Sequence, residues 1–412
     1  MKKCLIFICI LSSFFLFWFD PIVHAEQGSG SSELDKDSPE EEDTAAEEPS
    51  AEAIAKKQSE SLDLDSVGEY WNMILTEYGG FLPESQKGSL LEFVNGDKKF
   101  SPGEWGKALF AYLFHEVIAN GKLLGTLILL TIFSVLLQLL QNAFQQSAVS
   151  KVAYAIVYMV LIILALNSFH VAITYANQAI ESMTGFILAI IPLLLALMAS
   201  SGGIASATFF HPVILFLMNT SGMFIQHIIL PLIFLSAILS IVSTMTDQYK
   251  VTQLAQLLRN IAIGSLAIFL TVFLGVISVQ GASAAVADGI TLRTAKFITG
   301  NFIPVLGRMF TDATDTVVSA SVLLKNTVGI IGVAILVVIA AFPAIKVLSL
   351  ALIYKVAAAI LQPLGGGPVI SCLDIISRSV IYIFAALAIV SLMFFLCITV
   401  IITAGNLTMM VR

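Results

Sequence analysis

From Lys122 to Arg412 the chain is a succession of long apolar runs separated by short polar breaks, and this pattern limits what it can fold into. Runs of about 20 apolar residues have the length a helix needs to cross a bilayer core of ~30 Å. Leu123–Leu140 and Val152–Ala172 are clean spans, and Gly185–Ser200 is a shorter one carrying Pro192. Phe209–Thr246 is interrupted by Asn219-Thr220-Ser221-Gly222 and by Pro231, so it reads as two spans or one broken helix. Ile261–Val279 and Val380–Thr403 are clear, while Val328–Phe342 and Ala344–Leu361 flank Pro343. The expected fold is an all-α polytopic membrane protein of six to eight transmembrane helices. Composition agrees: 12% of residues are charged, against about a quarter in soluble globular chains.

The formal charge of −7 belongs to one tail. Residues 26–66 hold 14 acidic and 3 basic residues, whereas residues 113–412 hold 7 acidic and 12 basic ones. With almost no large apolar side chains, 26–66 cannot offset its ordering entropy and is expected to be an acidic disordered tether. Ahead of it, Lys2-Lys3, the apolar run Cys4–Phe19 and Val23-His24-Ala25 have the form of a signal peptide over 1–25. An uncleaved anchor is the alternative, and either places Glu26 onward outside the cytoplasm. Val67, Trp71, Ile74, Leu75 and Tyr78 recur at helical spacing and stop at Gly79-Gly80. Ser101-Pro102-Gly103-Glu104 has the form of a capping box with proline at the first helical position. Residues 67–119 are thus expected to form an exported amphipathic helical segment on the membrane surface or a small independent hairpin, with 120–412 as the membrane domain.

Lys151, Lys250, Arg259, Lys346, Lys355 and Arg378 lie in short breaks, which the positive-inside rule makes cytoplasmic. Gly281–Asn326 then faces outward as a nearly charge-balanced loop. Residues 185–280 and 297–403 have the look of two similarly oriented repeats: Pro192 and Pro231 in one copy answer Pro304 and Pro343 in the other.

Motifs for chemistry are sparse. Gly365-Gly366-Gly367 is followed by Pro368-Val369, not by the lysine and hydroxyl of a phosphate loop. His115-Glu116 begins like a zinc motif, but Ala119 stands where the second histidine is needed, and His170, His211 and His227 are scattered. Glu116, Glu181, Asp247, Asp288 and Asp374 all fall at edges or in breaks, which argues against an autonomous ion-coupled transporter. No catalytic, cofactor or metal residues are expected, and the chain does not read as an enzyme. The candidate pathway positions are the helix breaks: Asn219, Gly222, Pro231, Pro343, Gly365, Gly366, Gly367 and Pro368. A plain turn is the alternative for the glycine run.

Several stretches are long and unusual. They are Glu77–Gly88 (EYGGFLPESQKG), Gly121–Leu127 (GKLLGTL), Thr291–Pro304 (TLRTAKFITGNFIP) and the Gly365–Pro368 break. They resemble the stage III sporulation protein AE family of endospore-forming bacilli, from about Ser66 to Arg412. The resemblance implies a multi-pass protein of the mother-cell membrane, facing the forespore, with its N-terminal segment exported. It also implies membership of a secretion-like channel assembly linking mother cell and engulfed forespore, with ring-forming and membrane partners, a cytoplasmic ATPase subunit and no nucleic acid. A stand-alone small-solute permease and a purely structural membrane scaffold are the alternatives.

Overall fold

The computed structural model describes residues 64–95, 98, 101–143, 148–244, 251–302, 306–364 and 367–410. The leader and nearly all of the acidic tether lie outside the described residues, as do Thr246–Lys250, Pro304, Gly365 and Gly366.

The described chain is helical. Helix α1 is Asp65–Tyr78, and a 3-10 turn at Glu84–Gln86 leads to the short α2, Leu90–Val94. Then come α3, Pro102–Ala119; α4, Gly121–Ala143; and α5, Ala148–Ser200. Helix α6, Ile204–Phe224, passes through a π-helical turn, Ile225–Ile229, into α7, Leu230–Val242. Helices α8, Thr252–Phe302, α9, Leu306–Leu361, and α10, Pro368–Met410, complete the bundle. Among the described residues, six stretches are long and apolar enough to cross a membrane: Gly121–Leu140, Val152–Ser200, Ile204–Val242, Thr252–Gly281, Thr316–Leu364 and Pro368–Ala404.

Several expected breaks are not breaks. Val152–Ala172 and Gly185–Ser200 belong to one helix, because the intervening residues are polar without being helix breakers. Asn219 and Gly222 sit inside α6, with Asn219 exposed and Gly222 packed against Ile180 and Thr184 of α5. The irregularity comes later, at the π turn. The ring of Pro231 would meet the carbonyl four residues back, and one looser turn relieves that clash. Pro343 does not divide its helix into separate spans either: α9 runs through it. Within the expected loop Gly281–Asn326, residues 281–302 and 306–326 are the far ends of α8 and α9, where an alanine-rich run favours helix. Glu181 is likewise inside α5, and Asp374 inside α10, so the carboxylates are not confined to breaks. At Ser201–Gly203 the chain does turn. Gly202 has φ 92°, and the amides of Gly202 and Gly203 bond to the carbonyls of Ala199 and Met198, the backbone pattern that closes a helix on a left-handed glycine.

Helix α5 has 53 residues and α9 has 56, roughly 80 Å of helix at ~1.5 Å per residue. A ~30 Å core crossed even at ~40° takes up only about 39 Å of helix. Much of each therefore lies beyond one slab. Helix α9 is the centre, packed on α10, α5, α3 and α4. Close approach there needs missing side chains: a Cβ on Gly329 would overlap Ile402 of α10, and one on Gly332 would overlap Ile190 of α5.

The end of α4, the first turns of α5, the end of α7 and the start of α10 come together at one end of the bundle. The Tyr158 and Thr244 hydroxyls bond there, and Gly367 lies against Gln138 at a distance that leaves little room for a side chain. Asp374 takes Lys355 at 2.6 Å and also pairs with Arg378, while Arg259 lies over the Tyr382 ring.

Residues 65–119 do not stand alone. Val67, Trp71, Ile74 and Tyr78 are buried, as their spacing predicts, and α1, α2 and α3 all pack on α9. Trp71 Nε1 donates to the Gly88 carbonyl at 2.8 Å, and Trp105 Nε1 to Gln86 Oε1 at 3.0 Å. The capping box expected at Ser101 is not made. Pro102 does occupy the first turn, but the Ser101 side chain makes no cap bond, and Glu104 instead accepts from the Ser85 hydroxyl. The reciprocal box is at Ser89 and Glu92, opening α2. Replacing Gly329 by leucine should cost about 1–3 kcal/mol by forcing α9 and α10 apart. Thermal unfolding of the detergent-solubilised protein, with Gly264→Leu as a control at an open glycine, measures it.

Candidate functional site: the junction of α1, α5 and α9

The C-terminal turn of α1 lands where α9 carries Phe342, Pro343 and Lys346 and where α5 carries its polar middle. Tyr78 stacks flat on Phe342, with centroids 4.1 Å apart and planes 4° from parallel. Tyr112 of α3 stands edge-on to both, 6.0 Å from Tyr78 and 4.8 Å from Phe342. Such ring contacts add about 0.5–1.5 kcal/mol per pair beyond the area they bury. One turn on, the Lys346 ammonium reaches Glu77 Oε1 at 3.2 Å. It also sits 5.4 Å above the Tyr78 ring and 5.2 Å from that of Tyr175 on α5. On the same side, Tyr70 meets Phe186 edge-on, and its hydroxyl fills the place where a side chain on Gly185 would go.

Beneath these groups is a cavity of about 80 Å³. Glu77 and Tyr78 of α1, Gln178 and Ser182 of α5, and Ile339 and Pro343 of α9 contribute to its wall, with Lys346 at its edge. The polar stretch of α5 that lies between apolar runs in the sequence is therefore the floor of a site. Chemically the cavity offers a neutralised ion pair, an amide, a hydroxyl and a helix backbone from which proline has removed one donor.

Of the sequence candidates among the described residues, only Pro343 lines this cavity. Gly222 and Pro231 lie in the α6–α7 arm, Gly367 and Pro368 at the turn end of the bundle, and Asn219 on the outside. They do not converge. Lys346 also departs from its expected place. It does not lie in a break beside Lys355 but inside α9, about 14 Å of helix away, against the segment expected on the other face. The reason is that Pro343 does not end the helix. The signal for this was in the sequence: a lysine within an apolar helix needs an internal partner. What could not be read was that Glu77, 269 residues earlier, supplies it.

Burial, and then the neighbouring Glu77 carboxylate, push the Tyr78 phenol well above its ordinary value. Burial and Glu116 do the same to Tyr112. A raised acid is held neutral in the docked state, so its contribution is complete below the unfolded value of about 10 and fades as pH rises through the docked one. Docking of α1 should be constant from about pH 6 to about pH 9 and weaken above about pH 10. Protease sensitivity of the 79–101 link against pH, with Tyr78→Phe abolishing part of the alkaline loss, is the measurement. The ion pair is partly exposed on both sides, so a double-mutant cycle of Glu77→Gln and Lys346→Met should give a coupling of only about 0.2–1 kcal/mol.

Fold and site together define a multi-span helical membrane protein with a peripheral helical segment clasped to its central helix. The chain belongs to the stage III sporulation protein AE family, whose profile it matches over residues 85–405. It is 83% identical over 362 residues to the stage III sporulation protein AE of Bacillus subtilis (strain 168), covering 88% of this chain and 91% of that protein. No solved structure matches it. It is accordingly a sporulation protein with membrane-spanning helices.

Proposed function

We propose that this chain is an integral-membrane core subunit of a secretion-like channel assembly linking mother cell and forespore, acting as export gate or platform. The observation that carries the proposal is the pairing of family membership with six long apolar stretches, packed around α9, that hold no self-evident catalytic constellation among the described residues. In this reading the chain is not an enzyme, and its work is powered by a partner, a cytoplasmic ATPase subunit, with ring-forming and membrane subunits docked around it. Its membrane is that of the mother cell.

Orientation follows from charge. Arg259, Lys355 and Arg378 accompany the end where α4 meets α5, α7 meets α8 and α9 meets α10. A basic turn end belongs in the cytoplasm by the positive-inside rule. An N-terminal segment preceded by a signal peptide then enters from the opposite face, and α1–α3 reach along α9 as far as Lys346, about 14 Å of helix from Lys355 and so within the ~30 Å membrane core. The test has two arms. Cysteines placed at Lys250 and Glu104 in the sporulating cell should label from opposite sides, and labelling from one side refutes the orientation. Affinity purification of the full chain in detergent from cells at the engulfment stage should recover an ATPase subunit and other membrane subunits. Recovery of the chain alone refutes membership of an assembly.

A further inference from the structure

We propose that the partly open cavity between α1, α5 and α9 is a binding site for small uncharged hydrogen-bonding molecules, water first among them, and that the Glu77–Lys346 pair is a clasp across its mouth. Three observations converge on it.

The first is the backbone. Proline at 343 has no N–H, so the carbonyl of Ile339 is denied its usual helical donor, and Ile339 and Pro343 both line the cavity. A buried carbonyl without a donor is costly, and in helices of this kind ordered water commonly supplies the bond. The second is size and lining. The cavity measures about 80 Å³, well above the roughly 10–15 Å³ needed to hold one water. More than one water fits, in a groove whose wall includes Gln178, Ser182, Glu77 and Ile339. That meets the two to four polar partners a buried water needs.

The third is charge. The Lys346 ammonium already sits against Glu77 and over the faces of Tyr78 and Tyr175. The paired charges cancel, so neither a free cation nor a free anion finds an unopposed counter-charge there, and an uncharged hydrogen-bonding guest is the best match. The same pair stands across the mouth of the cavity, beside the exposed Gln178. Glu77 is half exposed and Lys346 about one fifth, and an ion pair so placed is weak enough to open without unfolding the bundle. The site therefore hydrates the one proline turn in the central helix, and α1 supplies half of its clasp.

Radiolytic hydroxyl footprinting of the full-length protein in nanodiscs uses bound water as the probe. Ile339 and Ile331 lie about two turns apart on α9 and are similarly buried, 3% and 4% exposed, but only Ile339 lines the cavity. Modification of Ile339 should exceed that of Ile331 at least fivefold, and equal modification overturns the site. Pro343→Ala restores the donor and should at least halve the signal at Ile339. No change there overturns the link to the proline turn. The clasp is read separately. Ser182→Cys should react with a small methanethiosulfonate at least tenfold faster when combined with Glu77→Gln, with thermal unfolding of the two proteins confirming that the bundle is intact. Equal rates overturn the clasp.

Discussion

Lipid cannot hydrogen-bond a peptide group, and the form of the spanning helices follows from that. Each apolar run must satisfy its own backbone, so it becomes helix and stays helix through proline, because a broken turn in hydrocarbon exposes several donors and acceptors at once. Pro192, Pro212 and Pro343 are carried inside helices, and Pro231 is absorbed by a single π turn, not by a loop. Nor does lipid drive helices together, since its tails are as apolar as leucine. Association rests on close fit, and the bundle shows where it is found: Gly329 under Ile402, Gly332 under Ile190, and Gly222 against Ile180. Buried serines add to it by bonding outward from their own helix, as Ser236 does to Ala255 and Ser377 to Ala351.

Helices α1 to α3 obey a different rule. They are short, carry charge and are held together by tryptophan donors and a capping box, as in a small water-facing domain. Removing Ile74 and Phe93 from water is worth roughly 1.5–3 kcal/mol each, a driving force the spans do not have. The two regimes meet at Lys346. A lysine in an apolar helix is stable where its charge finds a counter-ion and soft electron density, and Glu77 and two tyrosine rings provide both. The peripheral segment thus helps α9 to carry that charge.

Where local periodicity decides structure, the residues were legible. The 3–4 spacing of Val67, Trp71, Ile74 and Tyr78 marks α1 and its buried face, and the apolar runs mark the spans. Boundaries failed wherever polarity was mistaken for a break. Asn177, Gln178, Glu181 and Ser182 interrupt an apolar run without interrupting a helix, because none of them costs a helix what glycine or proline does. The capping box was placed at Ser101, since Glu104 has the right spacing, yet that carboxylate is taken by Ser85. Ser89 and Glu92 carry the same spacing and make the box. The site itself was beyond reach. Pro343 could be singled out as an oddity, but the partners that give it meaning, Glu77 and Tyr78, are separated from it by most of the chain, and one sequence holds no record of that pairing.

The placement of the clasp has a mechanical consequence. Pro343 divides α9 into an arm of 37 residues, Leu306 to Phe342, and one of 18, Ala344 to Leu361. The glycines that seat α9 on α5 and α10 belong to the longer arm; Tyr354, bonded to Ser168, and Lys355, bonded to Asp374, belong to the shorter. Each arm is therefore fixed laterally, and the turn between them lacks a backbone donor on the side facing the cavity. Bending concentrates where a helix has lost a hydrogen bond. Tyr78 and Glu77 grip the residues on either side of that point, Phe342 and Lys346. Helix α1 thus bridges the one proline turn of the central helix, touching α9 on both sides of the missing donor.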